Sequence, residues 1–447
     1  MTIRFCGLVV LLFVGSALTR SVRAQQPPVR LTLQDAIQRA LQANLSVLVG
    51  NTRVEEAEGT RLRRESAALL PRITVESYAN AQNRDLRAFG LSLPGVPIPS
   101  VVGPFSNYDF RVYAQQNIVD LESRRILKAS VRTVDAGKLD LRDARDLIVR
   151  VIAGLYLNAQ SAAARATAAQ SRVTDSTTLL KLAKDKHDAG TATGVDVLRA
   201  QVQLANDRQA LLIAQNQFKQ SLLALARNLG MEPGTPLELA EQLVFRPVSP
   251  AESVALTPAA LSMRADYLSL AAQRRALLEQ QRANRARSYP RLSVNGNFGG
   301  IGRSIGGVQA TGLIQGQIDF TVFDRDREGE AAELASRLKR IDDQIADLGR
   351  GIDEDIREAL LNLDSASEQV TVAAEGQDLA RRELELAQDR FQSGAANNVE
   401  VVTAQDELAR AEDNYILAVS SHVDAKFALA RAQGDTEKNI LQYAGNP

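Results

Sequence analysis

Apolar residues recur along this chain with two different periods, and the switches between them mark out long and short elements. Leu127, Val131, Val134, Leu141, Ile148, Ile152, Leu155, Ala159, Ala162, Ala166, Ala169, Val173 and Leu180 fall on one seam of alternating four- and three-residue steps, interrupted by Lys138, Arg145 and Ser176. Leu334, Leu338, Ile341, Ile345, Leu348 and Ile352 repeat the rule, before a four-residue step to Ile356. Spacing near 3.5 predicts helices that coil around neighbours, and such a step predicts local unwinding. No proline lies between Pro104 and Pro233, or between Pro290 and Pro447. Helices can therefore run from Asp120 to Gly190 and from Asp324 to Gly394, each about 100 Å long at the α-helical rise. Gly190 and Gly394 suit the left-handed residue that ends a helix. Return helices then reach Gly230 and Gly434, and a further helix precedes each unit, over about 33–69 and 258–288.

Four short segments alternate with period two instead. Leu292, Val294 and Phe298 alternate with Arg291, Ser293, Asn295 and Asn297. Tyr108, Phe110, Val112 and Ala114 alternate with Asp109, Arg111, Tyr113 and Gln115, and Ile314, Ile318 and Phe320 with Gln315, Gln317 and Asp319. After Pro71 the pattern is weakest, with Ile73 and Val75 giving way to Ser77 and Ala79. Opposite apolar and polar faces are expected of strands with lipid on one side and water on the other. Four strands cannot close a roomy barrel, and a bilayer tolerates no open sheet edge. The sheet must close with other copies, and three copies would give twelve strands. The two strand-joining loops, proline-rich Leu91–Phe105 and glycine-rich Gly299–Gly307, belong at the extracellular mouth. The second lacks the phosphate-loop pattern and opens no helix.

The pattern occurs twice because the chain is a duplication. At an offset of 204, Leu182-Ala183-Lys184-Asp185 falls on Leu386-Ala387-Gln388-Asp389, and Val195-Asp196-Val197 on Val399-Glu400-Val401. Ala224–Arg227 falls on Ala428–Arg431, Gly230 on Gly434, and Val119-Asp120 on Phe323-Asp324, without a gap. Pro71-Arg72-Ile73 matches Pro290-Arg291-Leu292 at 219, so the first copy carries extra residues between Pro71 and Asp120. The expected division is a signal peptide over 1–24, a first repeat over 25–240, a connection over 241–257, a second repeat over 258–434 and a C-terminal tail over 435–447.

Composition changes the picture mainly at the N-terminus. Arg4, the apolar run Leu8 to Val14 and the small-residue site Val22-Arg23-Ala24 form an export signal. Its removal takes away Cys6, the single cysteine of the sequence, so no disulfide framework is expected. The formal balance of 53 basic and 53 acidic residues leaves no basic excess for nucleic acid. No nucleophile, metal cluster or cofactor motif stands out, so the chain is not expected to be an enzyme or to need a cofactor or metal. His187 and His422 read as solvated helix positions, and Asp353-Glu354-Asp355 as a wet helix face.

Two strand pairs with long helical hairpins behind a signal peptide resemble the TolC-like outer-membrane efflux family. The carrying motifs are the stretch ending at Leu45 (LTLQDAIQRALQANL), Leu69-Leu70-Pro71-Arg72-Ile73, Val119-Asp120, and the paired turns Ala189–Leu198 and Ser393–Val402. The resemblance implies a mainly α fold with a transmembrane β-barrel: a homotrimer with a 12-stranded barrel in outer-membrane lipid and an α-helical tunnel through the periplasm. It further implies a passive exit duct of a tripartite efflux or type I secretion system, partnered by a periplasmic adaptor protein and an inner-membrane transporter. Glu400 and its counterpart Asp196 then stand where acids ring the pore aperture. Gly190, Gly194, Val195, Leu198, Gly394 and Val399 belong to tip turns that contact the adaptor. Phe391 and Ala396 replace a tyrosine and an arginine that tie the tip shut in some relatives, and Thr403 replaces a second acid. The competing reading is a periplasmic coiled-coil adaptor or scaffold without a pore, which would be water-soluble and need no duplicated strand pair.

Overall fold

The computed structural model describes residues 28–86, 88, 90, 99–232, 234–247, 253–434 and 436–444. The expected signal peptide, Cys6 and most of the proline-rich loop lie outside the described residues. In chain order the elements are β1 (Val29–Leu31), α1 (Leu33–Ala43), α2 (Leu45–Leu69), β2 (Arg72–Asp85), β3 (Val101–Val119), α3 (Leu121–Asp188), α4 (Gly194–Asn228) and β4 (Leu237–Leu239). Then follow α5 (Ser253–Met263), α6 (Ala265–Ala286), β5 (Arg291–Gly302), β6 (Gln309–Asp319), α7 (Arg325–Ser393), α8 (Asn398–Gln433) and α9 (Thr436–Ala444).

The long helices form because nothing in them breaks a helix and one face is continuously apolar. The α7 seam extends the sequence pattern: Ile352, Ile356, Ala359, Leu363, Ala366, Val370, Ala380, Leu384, Ala387 and Phe391 are all buried, largely against α8. On α3 the pattern is looser. Val131 is exposed, while Ser176 is buried instead of interrupting the seam, because α3 packs against α2, α4, α6 and α8 at once. By length and composition α3 also holds a stretch apolar enough to cross a membrane; here that apolar character serves helix packing. Toward the strands the neighbours run α2, α3, α6, α7; away from them they run α4, α3, α8, α7.

The helices expected over 33–69 and 258–288 are each broken once. Asn44 is extended, and its side chain accepts from Ser46 N at 2.9 Å, capping α2. Arg264 is extended at the corresponding place, buried and clamped by Asp266 and Asp355 at 2.7 Å each. Around the Asn44 break lies the largest described core. Leu31, Ile37, Val47, Ile152, Tyr156, Leu225 and Phe427 pack together, beside a short parallel pairing of β1 with β4. The segment expected to be a tail contains α9, whose Ile440 is buried in this same core.

Residues 241–247 of the expected connection lie across α8. Phe245 meets the ring of His422 edge-on at 4.8 Å. The expectation for that histidine is corrected: it is 0 % exposed, and neither ring nitrogen has a hydrogen-bond partner. One turn on, buried Lys426 donates to the carbonyl of Arg246 at 3.0 Å.

The strands form one antiparallel sheet in the order β2-β3-β5-β6. Its register puts the apolar positions on one face: Val75 opposite Val112, Val112 opposite Phe298, Leu292 opposite Ile318. No described residue covers that face, where Ile73 is 65 %, Phe298 69 % and Ile314 86 % exposed. On the opposite face buried Asp109 accepts from Tyr78 Oη at 2.8 Å and from Arg111 Nε at 2.7 Å. Both β3 and β5 extend into the expected loops, so the first mouth connection shifts to 86–100 and the second shortens to 303–308.

Each long helix starts on an aspartate, α3 directly after β3 and α7 a short connection after β6. Asp120 accepts from Ser123 N and Asp324 from Arg327 N, the usual way of satisfying a first-turn donor. Arginines of the second copy clamp both caps: Arg291 lies 3.6 Å from Asp120, and Arg287 lies 2.7 Å from Asp324. The strand and helix portions are thus pinned together at two equivalent corners.

Candidate functional site

The ends of the helical hairpins, far from the sheet, gather the residues singled out in the sequence. Both long helices stop in the same way. Thr191 N returns to Lys186 O at 2.8 Å and Gly190 N to His187 O at 2.9 Å; Ala395 N returns to Arg390 O at 2.9 Å and Gly394 N to Phe391 O at 3.2 Å. This pair of bonds needs a left-handed residue, and the two glycines supply it with φ of +73° and +80°.

The return helices open differently. In the first copy Thr193 caps α4 and Asp196 closes a capping box: Asp196 Oδ2 accepts from Thr193 N at 3.0 Å and from Thr193 Oγ1 at 2.7 Å. Those bonds, the hydroxyl's first, hold the Asp196 carboxyl below the usual carboxylate range. Asp196 is buried, with Arg199 3.9 Å away. In the second copy Asn397 caps α8 by accepting from Val399 N at 3.0 Å. Glu400, left out of the cap, crosses its own turn to Arg390, with contacts of 3.1 and 3.4 Å, and stays half exposed. Two acids at equivalent positions therefore differ in kind: Asp196 is committed to its helix start, and Glu400 presents a paired but solvated carboxylate. Val195, Leu198 and Val399 project outward and are exposed.

Contacts that sequence reasoning missed join the two tips. Lys186 Nζ donates to the carbonyl of Gln392 at 3.0 Å and lies 5.2 Å over the ring of Phe391. Asn398 is completely buried and donates to the carbonyl of Asp196 at 2.9 Å. Phe391, in turn, is buried among Leu179, Ala183, Leu384 and Val401. A signal was present: Lys186 and Arg390 occupy equivalent positions, each a cation near the negative end of a long helix. The direction each would reach was not legible. Gly190 and Gly394 have no atom within 4 Å of an added Cβ, so backbone conformation, and not space, demands glycine there.

The grooves elsewhere are open and polar. One, about 640 Å³, lies between α3, α6 and α7 and is lined by residues such as Gln273, Gln280, Glu333 and Arg337. A second, about 530 Å³, is lined by Asn158, Asn362, Ser365, Gln369 and Asp424. Among the described residues no group of three or more histidine, cysteine or acidic side chains is placed to hold a metal ion.

Comparison with known proteins agrees with this architecture. A family model described as "Outer membrane efflux protein" matches residues 36–231 and 256–435. The pyoverdine export outer membrane protein OpmQ of Pseudomonas aeruginosa is 22 % identical over 408 residues, spanning 90 % of this chain and 85 % of that protein. The crystal structure of the outer membrane protein VceC of Vibrio cholerae superposes with a TM-score of 0.74 at 18 % identity, over 90 % of this chain and 96 % of that one. The Campylobacter jejuni CmeC outer membrane channel superposes with a TM-score of 0.74 at 17 % identity, over 93 % and 89 %. These two structures share the fold of this chain.

Proposed function

The chain belongs to the outer membrane efflux protein family, and from that premise we propose that three copies close into a 12-stranded barrel and a continuous helical tunnel. The protein is an outer-membrane exit duct that extends into the periplasm, and it is not an enzyme. The observation that carries the trimer is the sheet itself. Its apolar face is uncovered, and its two outer strands, β2 and β6, each have an unpaired edge. In lipid those edges need partners, and the β6 edge of one copy suits the β2 edge of the next. The helices offer a second self-complementary pair of surfaces. Val195, Leu198, Val202, Leu212 and Leu223 form an exposed apolar stripe on α4, and Leu361, Val372, Leu379 and Leu386 form another on the free face of α7. A soluble scaffold would leave the sheet face and both stripes in water.

In the assembled duct the hairpin tips form the periplasmic end. Glu400 rings the aperture there, its carboxylates favouring cations, while Asp196 acts through the capping box that shapes the first tip. Gly190, Gly194, Val195, Leu198, Gly394 and Val399 form the surface for a periplasmic adaptor, which joins the duct to an inner-membrane transporter. Electron microscopy of the protein extracted from outer membranes in detergent tests the assembly. Threefold cylinders about 140 Å long are expected, from the tunnel plus one bilayer; soluble or unpored particles would overturn the proposal.

A further inference from the structure

Between the tips and the core around Tyr156 and Phe427, the seam joining the two hairpins turns from apolar to polar. Arg172, Asp175 and Ser176 of α3, Gln203 and Asp207 of α4 and Gln405 of α8 surround a cavity of about 20 Å³, closed by Leu384 of α7. That is room for about one water molecule. Gln203 Nε2 bridges the hairpins, donating to Asp406 Oδ1 at 3.2 Å and toward Asp207 Oδ1 at 3.5 Å. Ser176 donates to Asp207, and Arg172 reaches Glu412 at 3.5 Å. Asp207 thus faces Arg172, Asp175 and Asp406, while Glu412 faces Arg172, Asp175, Arg381 and Asp413. Carboxylates outnumber guanidiniums on the seam.

Gln405 points to what the cluster lacks. It is 8 % exposed and lines the cavity, yet its Oε1 has no hydrogen-bond partner. Ser176 and the Gln203 amide already donate to carboxylates, and an ionised carboxylate can only accept. A protonated one can donate, directly or through the single water that fits. The guanidinium of Arg172 beside the cavity disfavours a metal cation in that place.

We propose that this seam is a proton-binding site, in which a proton taken up by Asp207 supplies the donor that Gln405 lacks and draws the two hairpins of one chain together as the periplasm acidifies. Burial pushes Asp207 upward, against the bond from Ser176, and pushes Glu412 upward against Arg172. Asp175 moves the same way, through burial and the charge of Asp207. With the packed-state values raised, the proton-linked stability of the seam is complete at acid pH. It is lost as pH climbs above the ordinary carboxylate value of about 4. Near neutrality the carboxylates repel one another across the seam, and the tips part more easily.

The site lies within a single chain, so its test is independent of threefold closure. Spin labels at Thr191→Cys and Ala396→Cys, in full-length chains diluted among unlabelled copies, report the distance between the tips. At pH 5 that distance should be shorter and more narrowly distributed than at pH 8. Asp207→Asn keeps the bond from Ser176 but cannot ionise, so it should give the short distance at both pH values. Gln405→Leu keeps every carboxylate but removes the acceptor. It should move the transition about one pH unit lower, a tenfold weaker proton affinity. A distance indifferent to pH, or a transition unaltered in both variants, would overturn the proposal. If Asp207→Asn fails to assemble, the Gln405→Leu shift alone decides.

Discussion

Replacing His422 with leucine should stabilise the protein although the residue is completely buried, and should abolish an acid-triggered release of residues 241–247. The ring is 0 % exposed beneath Phe245, with both nitrogens unpartnered. Burial, aided by the charge of Lys426, lowers its pKa to about 4. Each unsatisfied buried polar atom costs about 1–3 kcal/mol, so an apolar side chain of similar size should gain on the order of 1–3 kcal/mol near neutrality. The acid effect adds to this. A base whose folded pKa is depressed contributes stability present above its unfolded value of about 6.5 and lost as pH falls toward the folded value. By pH 5 the loss is about 2 kcal/mol, or about thirtyfold in the opening equilibrium. Lys426, lowered to about 8 by burial, stays charged throughout that fall and does not offset it. Amide hydrogen exchange over residues 241–247, corrected for intrinsic rates at pH 5 and pH 7.5, measures the opening directly. Wild-type protein should open more at pH 5, and the His422→Leu variant equally at both. A wild-type segment insensitive to pH, or a variant that opens more than wild type at pH 7.5, would refute the reasoning.

Lys186→Met removes a hydrogen bond and a cation–ring contact between the tips, together worth about 1–2 kcal/mol at this partly solvated position. Single-channel recordings in planar bilayers should then show about tenfold more time in wide states; an unchanged record would place the closing contact elsewhere. Glu400→Gln leaves Arg390 without its partner at the proposed aperture, so reversal potentials should shift from cation toward anion preference. Gly394→Ala forces a side chain onto a left-handed backbone and should cost about 1 kcal/mol. Gly376→Ala, inside α7 with open space around it, should instead gain about 0.5–1 kcal/mol. Thermal unfolding of the pair separates backbone conformation from helix propensity, and equal shifts would contradict the turn geometry.

The sequence was most readable where a rule is periodic. The α7 seam through Ile352 and Ile356, the four strand faces and the paired glycines are each determined by neighbours a few residues away, and all appear in the fold. It was least readable where a side chain must choose between distant partners. Asp196 and Glu400 share one position in two copies, yet Thr193 offers the shorter acid a hydroxyl, whereas Asn397 leaves the longer one to find Arg390. His422 carries no periodic mark distinguishing it from a solvated helix residue. Its burial depends on Phe245, which reaches it from the connection between the copies. The Asn44 break has a local cap in Ser46, whereas the Arg264 break also depends on the distant carboxylate of Asp355 on α7.

The pairing of β3 with β5 has a consequence for ancestry and for outward appearance. That pairing joins the two copies inside one chain in the same way that β6 and the next chain's β2 would join neighbouring chains. In the proposed trimer the wall would therefore be a ring of six nearly equivalent staves, and a half-length progenitor could have built it from six identical pieces. Fusion freed the two halves to diverge. They have done so most at the mouth, where the longer connection over 86–100 alternates with the shorter one over 303–308. In the proposed trimer, three longer connections would alternate with three shorter ones around the mouth.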